Sequence, residues 1–162
     1  MDLNSPAFLI PLRPLRPLRL CGEQSWIPLG RPLKPKLATA ILLFAHGARD
    51  PSWAEPFRRI AERLCHKQSG IRVELAFLEL MEPTLESAVA GLATEDIGRI
   101  TVVPLFLAQG GHLKEDLPRL LDDIRKHYPA LRIDVTTAIG DSEDLTNAIA
   151  DWAFDQHLSR SG

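Results

Sequence analysis

Apolar residues change their spacing at Leu37, and beyond it two patterns alternate. Ala40–Ala45 is a continuous apolar run, short enough to be a strand buried on both faces. Comparable runs occupy Val73–Leu78, Ile100–Leu107 and Ile133–Ile139. Helical stripes follow each of them. Phe57, Ile60, Ala61 and Leu64 fall at i, i+3, i+4 and i+7, and so do Leu85, Ala88, Val89 and Leu92. The spacing repeats at Leu117, Leu120, Leu121 and Ile124, and again at Leu145, Ala148, Ile149 and Trp152. Strands that each precede a helix predict an α/β domain, a single four-stranded parallel sheet with flanking helices on both faces and right-handed crossovers.

Pro104 strains this scheme, because a central strand has no place for a residue without an N–H. Either it ends regular pairing early, turning the chain toward Gln109–His112, or the run is a short edge-like strand.

Ligands of open parallel sheets bind at the carboxyl ends of the strands. The first run ends in Ala45-His46-Gly47-Ala48-Arg49-Asp50-Pro51 and the second at Phe77-Leu78-Glu79. The third runs out through Gln109-Gly110-Gly111-His112, and the fourth ends in Ile139-Gly140-Asp141-Ser142. His46, Glu79 and His112 therefore emerge at one rim. A histidine after a strand is more often a surface or capping residue than a ligand, and His66, His127 and His157 fit that description. His46 differs because it follows a buried run and precedes Gly47, which permits close backbone approach. His112 follows a glycine pair that leaves room for a bulky ligand. Glu79 needs a partner if the strand behind it is buried, either a metal or Arg49. Two imidazoles and a carboxylate without thiolate suit Fe²⁺, Co²⁺ or Ni²⁺, held loosely enough to be released. An imidazole also titrates near neutrality and can take a proton.

Length and composition narrow the setting. The 162 residues fit one domain, 45% hydrophobic and 25% charged, as in ordinary globular proteins. No stretch is long and apolar enough to span a membrane. Cys21 and Cys65 match no metal or redox spacing, which fits a reducing, cytoplasmic setting. Net charge is −2, but residues 1–36 hold six basic against two acidic residues, so the remainder carries −6. An acidic body argues against nucleic acid as partner.

Residues 1–36 also contain seven of the 13 prolines, within Leu12-Arg13-Pro14-Leu15-Arg16-Pro17-Leu18-Arg19 among other places. Proline at this density opposes helix and central strand alike, and Pro11, Pro14 and Pro17 break the apolar core that a secretory signal needs. The expected organisation is a disordered tail, 1–36, before a folded domain, 37–158. An Arg-rich arm that binds an anion is the other reading of the tail.

The segments Ala45–Pro51, Ala76-Phe77-Leu78-Glu79, Val102-Val103-Pro104-Leu105-Phe106-Leu107, Gly110/Gly111-His112 and Asp116-Leu117-Pro118 resemble the short sirohydrochlorin chelatases among the class II tetrapyrrole chelatases. The resemblance runs from about Ala38 to Trp152 in the family's order. It implies a chelatase-like parallel α/β fold, a homodimer and a lyase. The enzyme would insert cobalt or iron, nickel in some members, into sirohydrochlorin toward cobalamin, siroheme or a nickel tetrapyrrole. It implies no organic cofactor, the metal being a substrate. By the same resemblance, His46 and His112 handle metal and protons and Glu79 assists. Ala48 departs from the family's usual serine, and the tail has no counterpart. Sirohydrochlorin's carboxylates call for local positive charge. Arg49 and Lys114 are the candidates to hold them, aided by the donors of a helix opening after Asp116. Alternatively Arg49 only pairs with Asp50 or Glu79.

Two other functions compete. Histidine-phosphatase chemistry also places His-Gly after a first strand, but it wants an arginine before the histidine, where Ala45 stands. A metal or tetrapyrrole carrier would use the same residues without turnover. No Gly-rich nucleotide loop is present.

Overall fold

A computed structural model describes residues 38–68, 70–108 and 110–160, with 111–113 described in backbone only. The tail read from residues 1–36 lies outside the described residues.

The elements run β1 (Ala38–Ala45), α1 (Glu55–Lys67), β2 (Arg72–Phe77), α2 (Leu85–Ala93), β3 (Ile97–Pro104), α3 (Gly111–His127), β4 (Arg132–Val135) and α4 (Glu143–Leu158). Short 3-10 turns at Pro51–Ala54 and Ile139–Asp141 lead into α1 and α4. All four strands are parallel, in the order β2-β1-β3-β4. The expected α/β fold is therefore the observed one.

Local chemistry explains the helix starts. Asp50 accepts a bond from the backbone N–H of Ser52 at 2.9 Å, and Pro51 sits where its missing N–H costs nothing. Thr84 caps α2 through the N–H of Ser87 at 3.2 Å. α3 ends in Arg125, Lys126 and His127, cations favoured at a helix C-terminus.

Side-chain alternation divides the core between the two faces of the sheet. On one, Leu42, Phe44, Ile100 and Val102 meet Leu85, Val89 and Leu92 of α2 and Leu117, Leu121 and Ile124 of α3, all buried. On the other, Leu43, Ala45, Val73, Leu75 and Phe77 lie under α1.

Four elements differ most from the sequence reading. β3 starts at Ile97, which pairs with Ala38, and stops at Pro104. β4 covers only Arg132–Val135, because the Thr136 N–H makes the last bond to the Val102 carbonyl and Ile139 belongs to a turn. α3 opens at Gly111, not after Asp116, which puts His112 in its first turn and Pro118 inside the helix. α4 forms, yet none of its residues is buried, and it packs mainly against the turn before it.

Pro104 is accommodated by register. The Leu105 N–H bonds the Phe44 carbonyl toward β1, and the Val102 carbonyl accepts from β4's side. By alternation the Pro104 nitrogen faces β4's side, where β4 has already ended, so no ladder bond is forfeited.

Candidate active site

The strand order reverses direction between β1 and β3, since β2 lies to one side of β1 and β3 to the other. Loops leaving the carboxyl ends of β1 and β3 then diverge and open a crevice. His46 is the first residue after β1, and α3, which carries His112, follows β3.

His46 and Glu79 are held side by side by backbone pairing that outlasts the strands. The Leu78 N–H donates to the Ala45 carbonyl at 2.9 Å and the Glu79 N–H to the His46 carbonyl at 3.0 Å. Gly47 makes this approach possible. Its φ is +93°, and a Cβ there would lie 1.9 Å from the Glu79 carbonyl oxygen. The side chains meet as well, with His46 Nδ1 3.3 Å from Glu79 Oε1 and each about half exposed. Leu80 follows at φ +63°, an uncommon backbone for leucine, with its side chain 59% exposed beside the pair.

Phe106 supports the histidine from the other loop. Its ring stands edge-on to His46, centroids 6.4 Å apart at 76°, and edge-on to Phe44 at 5.6 Å. Sequence reading missed this contact, although alternation beyond Val102 and Pro104 puts Phe106 on the face of Phe44.

The remaining candidates are spread more widely. His112 stands in the first turn of α3, and its side chain is outside the described residues. Among the described residues Arg49 forms no ion pair: Glu79 meets His46, and Asp50 caps the turn. That cap, foremost the Ser52 backbone N–H, holds the Asp50 carboxyl below its ordinary range. Lys114 lines a separate cleft of about 400 Å³ with Thr136, Thr137 and Asp141, between α3 and the end of β4. Among the described residues no cluster of three or more His, Cys, Asp and Glu side chains is placed to hold an ion. His66, His127 and His157 are exposed on helices, away from the rim.

The four-stranded parallel sheet agrees with what comparison finds. The CbiX family model matches residues 40–155. The chain belongs to the CbiX family. The matched span takes in both site loops and all but the last residues of α4. The sirohydrochlorin cobaltochelatase of Methanosarcina acetivorans is 39% identical over 94 residues, 58% of this chain and 72% of that protein. That of Saccharolobus solfataricus is 37% identical over 102 residues, 60% and 78% of the two chains. Among solved structures, a CbiX protein ascribed to cobalamin biosynthesis in Marinobacter aquaeolei superposes with a TM-score of 0.66 at 33% identity, covering 75% of this chain and 98% of that one. The sirohydrochlorin chelatase SirB of Bacillus subtilis subspecies spizizenii, solved with cobalt, gives 0.63 at 30% identity over 73% of this chain. The present CbiX chain spans half of SirB's length. No described helix is long and apolar enough to cross a membrane.

Proposed function

We propose that this chain is a sirohydrochlorin metal chelatase, a lyase that works in the cytoplasm as a homodimer and inserts Co²⁺ or Fe²⁺, with Ni²⁺ as a third substrate to test. The observation that carries the reading is the His46–Glu79 pair at the strand-order reversal, inside the span matched by the CbiX family. The names of the relatives favour cobalt, and SirB has been solved with cobalt and with Fe³⁺.

Insertion exchanges one divalent ion for two pyrrole protons, so the site must present a ligand to the metal and a base to the macrocycle. His46 is suited to both tasks. With Glu79 beside Nδ1, the tautomer protonated there is favoured and Nε2 keeps its lone pair. His112, in the first turn of α3 across the crevice, supplies the second imidazole in this reading. A site of imidazole and carboxylate ligands without thiolate keeps the metal exchangeable. Arg49, without an ion-pair partner among the described residues, and Lys114 are the cations for the substrate's carboxylates. Gly110, which caps α3, has no side chain to occupy the first N–H groups, and these add anion affinity. One copy has a single open rim, and a second copy would complete the enclosure of the macrocycle.

The competing phosphatase reading loses ground because Ala45 is fully buried and apolar where phosphate would need an arginine. The test is anaerobic incubation of the full chain with sirohydrochlorin and Co²⁺, Fe²⁺ or Ni²⁺ separately, following the tetrapyrrole absorption. Faster metallation than the enzyme-free mixture is the expected result. Binding of tetrapyrrole and metal without acceleration would instead establish a carrier.

A further inference from the structure

Most large apolar side chains exposed among the described residues belong to one open face. Ile60, Leu107, Leu145, Ile149 and Trp152 line a groove of about 780 Å³ between α1 and α4, and Phe154 and Leu158 lie elsewhere on α4. The others, Trp53, Leu80 and Val135, all stand at the carboxyl-end rim of the sheet. Leu80 is the most exposed of them and directly follows Glu79 of the histidine–carboxylate pair.

Folding alone gives no reason for leucine at this position. Leu78 packs against the core on the α2 side of the sheet and Met81 against the core on the α1 side, so the chain crosses the end of the sheet between them. It crosses with Leu80 at φ +63°, a left-handed conformation in which a leucine Cβ crowds the carbonyl that follows. Asp96, the other non-glycine residue with positive φ among the described residues, is of a type that visits this region readily. Glycine or asparagine would suit position 80 better on both counts, backbone and exposure. The loop is nevertheless firmly held. The Phe77 N–H bonds the Pro83 carbonyl at 2.9 Å across its base, the Glu79 N–H bonds His46, and the Glu82 carboxylate accepts from the Thr84 N–H at 3.0 Å. A costly backbone and an exposed apolar side chain on a firm loop serve a ligand better than they serve the fold.

We propose that Leu80 seats the apolar face of the tetrapyrrole and sets the macrocycle over His46 and Glu79. The inference rests on the chelatase reading above and deepens it. A tetrapyrrole of this kind carries its charge at the periphery and is apolar across its rings. Arg49 and Lys114 anchor that charged edge, and Leu80 supports the plane.

Equilibrium binding of metal-free sirohydrochlorin to the full chain, read from the tetrapyrrole absorption, tests this with Leu80→Asn and Leu80→Met. Leu80→Asn should bind at least about 10-fold more weakly, the scale set by a leucine side chain that no longer leaves water. Its melting temperature should equal or exceed that of the wild type, because asparagine accepts the backbone. In Co²⁺ insertion its KM for sirohydrochlorin should rise by the same factor with kcat unchanged. Leu80→Met keeps an apolar side chain of similar volume and should bind as the wild type does. Wild-type affinity in Leu80→Asn, or an equal loss in Leu80→Met, would overturn this inference alone. A melting temperature that falls together with the affinity of Leu80→Asn would also overturn it, by making Leu80 a part of the fold. A wild type that binds no sirohydrochlorin would overturn the chelatase reading as well.

Discussion

α2 and α4 have apolar stripes of the same spacing and opposite fates. Leu85, Val89 and Leu92 are each no more than 1% exposed against the sheet, whereas Leu145, Ile149 and Trp152 all stand in water. Spacing therefore predicts that a helix forms and which side is apolar, but not what that side meets. A second difference is visible beside the stripe. α4 also carries Phe154 and Leu158, 60% and 56% exposed and off the line of its stripe. A helix apolar on more than one side has more surface to cover than one sheet face can cover.

The contrast can be broken first at its buried end. Leu92→Ala should lower unfolding free energy by about 2–5 kcal/mol, read by urea denaturation, because the closed α2 face cannot collapse around the lost side chain. A loss below 1 kcal/mol would mean that this face is as loose as the other.

Gly140→Ala probes the hinge of the open face. Gly140 lies in the turn that anchors α4, and a Cβ there would sit 1.9 Å from the Leu107 carbonyl oxygen. The turn must move, so stability should fall by about 1–3 kcal/mol, in the range of a forced backbone rearrangement. Wild-type stability would show that this contact holds nothing.

The smallest effect belongs to Trp152→Ala. At nanomolar protein it should cost under about 1 kcal/mol, as exposed positions do. At tens of micromolar the cost should grow, because association stabilises only the form with a partner. A penalty that is large and independent of concentration would place Trp152 in the core of its own chain.

Much of the fold could be read from the residues, because parallel strands buried on both faces are apolar runs and helices carry their period openly. The rim was legible for a related reason. His46 and Glu79 end two such runs, and Gly47 between tight backbones is meaningful only where another chain segment comes close. Other features depended on partners that local patterns do not reveal. Phe106 touches His46 through strand register, and β4 ends at Val135 because its neighbour's last bond goes to Thr136. The start of α3 is hidden in the sequence because glycines read as loop, yet Gly110 caps that helix and Gly111 begins it. The alternative pairing of Arg49 with Asp50 or Glu79 does not form among the described residues, because each of those acids has another contact.

The central claim is that His46, paired with Glu79 across from His112, performs the insertion. The most direct measurement is the initial rate of Co²⁺ insertion into sirohydrochlorin by His46→Ala, with melting temperature followed in the same samples. We expect a loss of at least about 100-fold, in line with removal of a positioned acid–base group, and an unchanged melting temperature because His46 lies beyond the core. His112→Ala should match it. Glu79→Ala should fall by about 10-fold, the lower end for a group that orients a ligand. His66→Ala, on an exposed face of α1, should retain the full rate. Wild-type turnover by His46→Ala, or an equal loss in His66→Ala, would contradict the account.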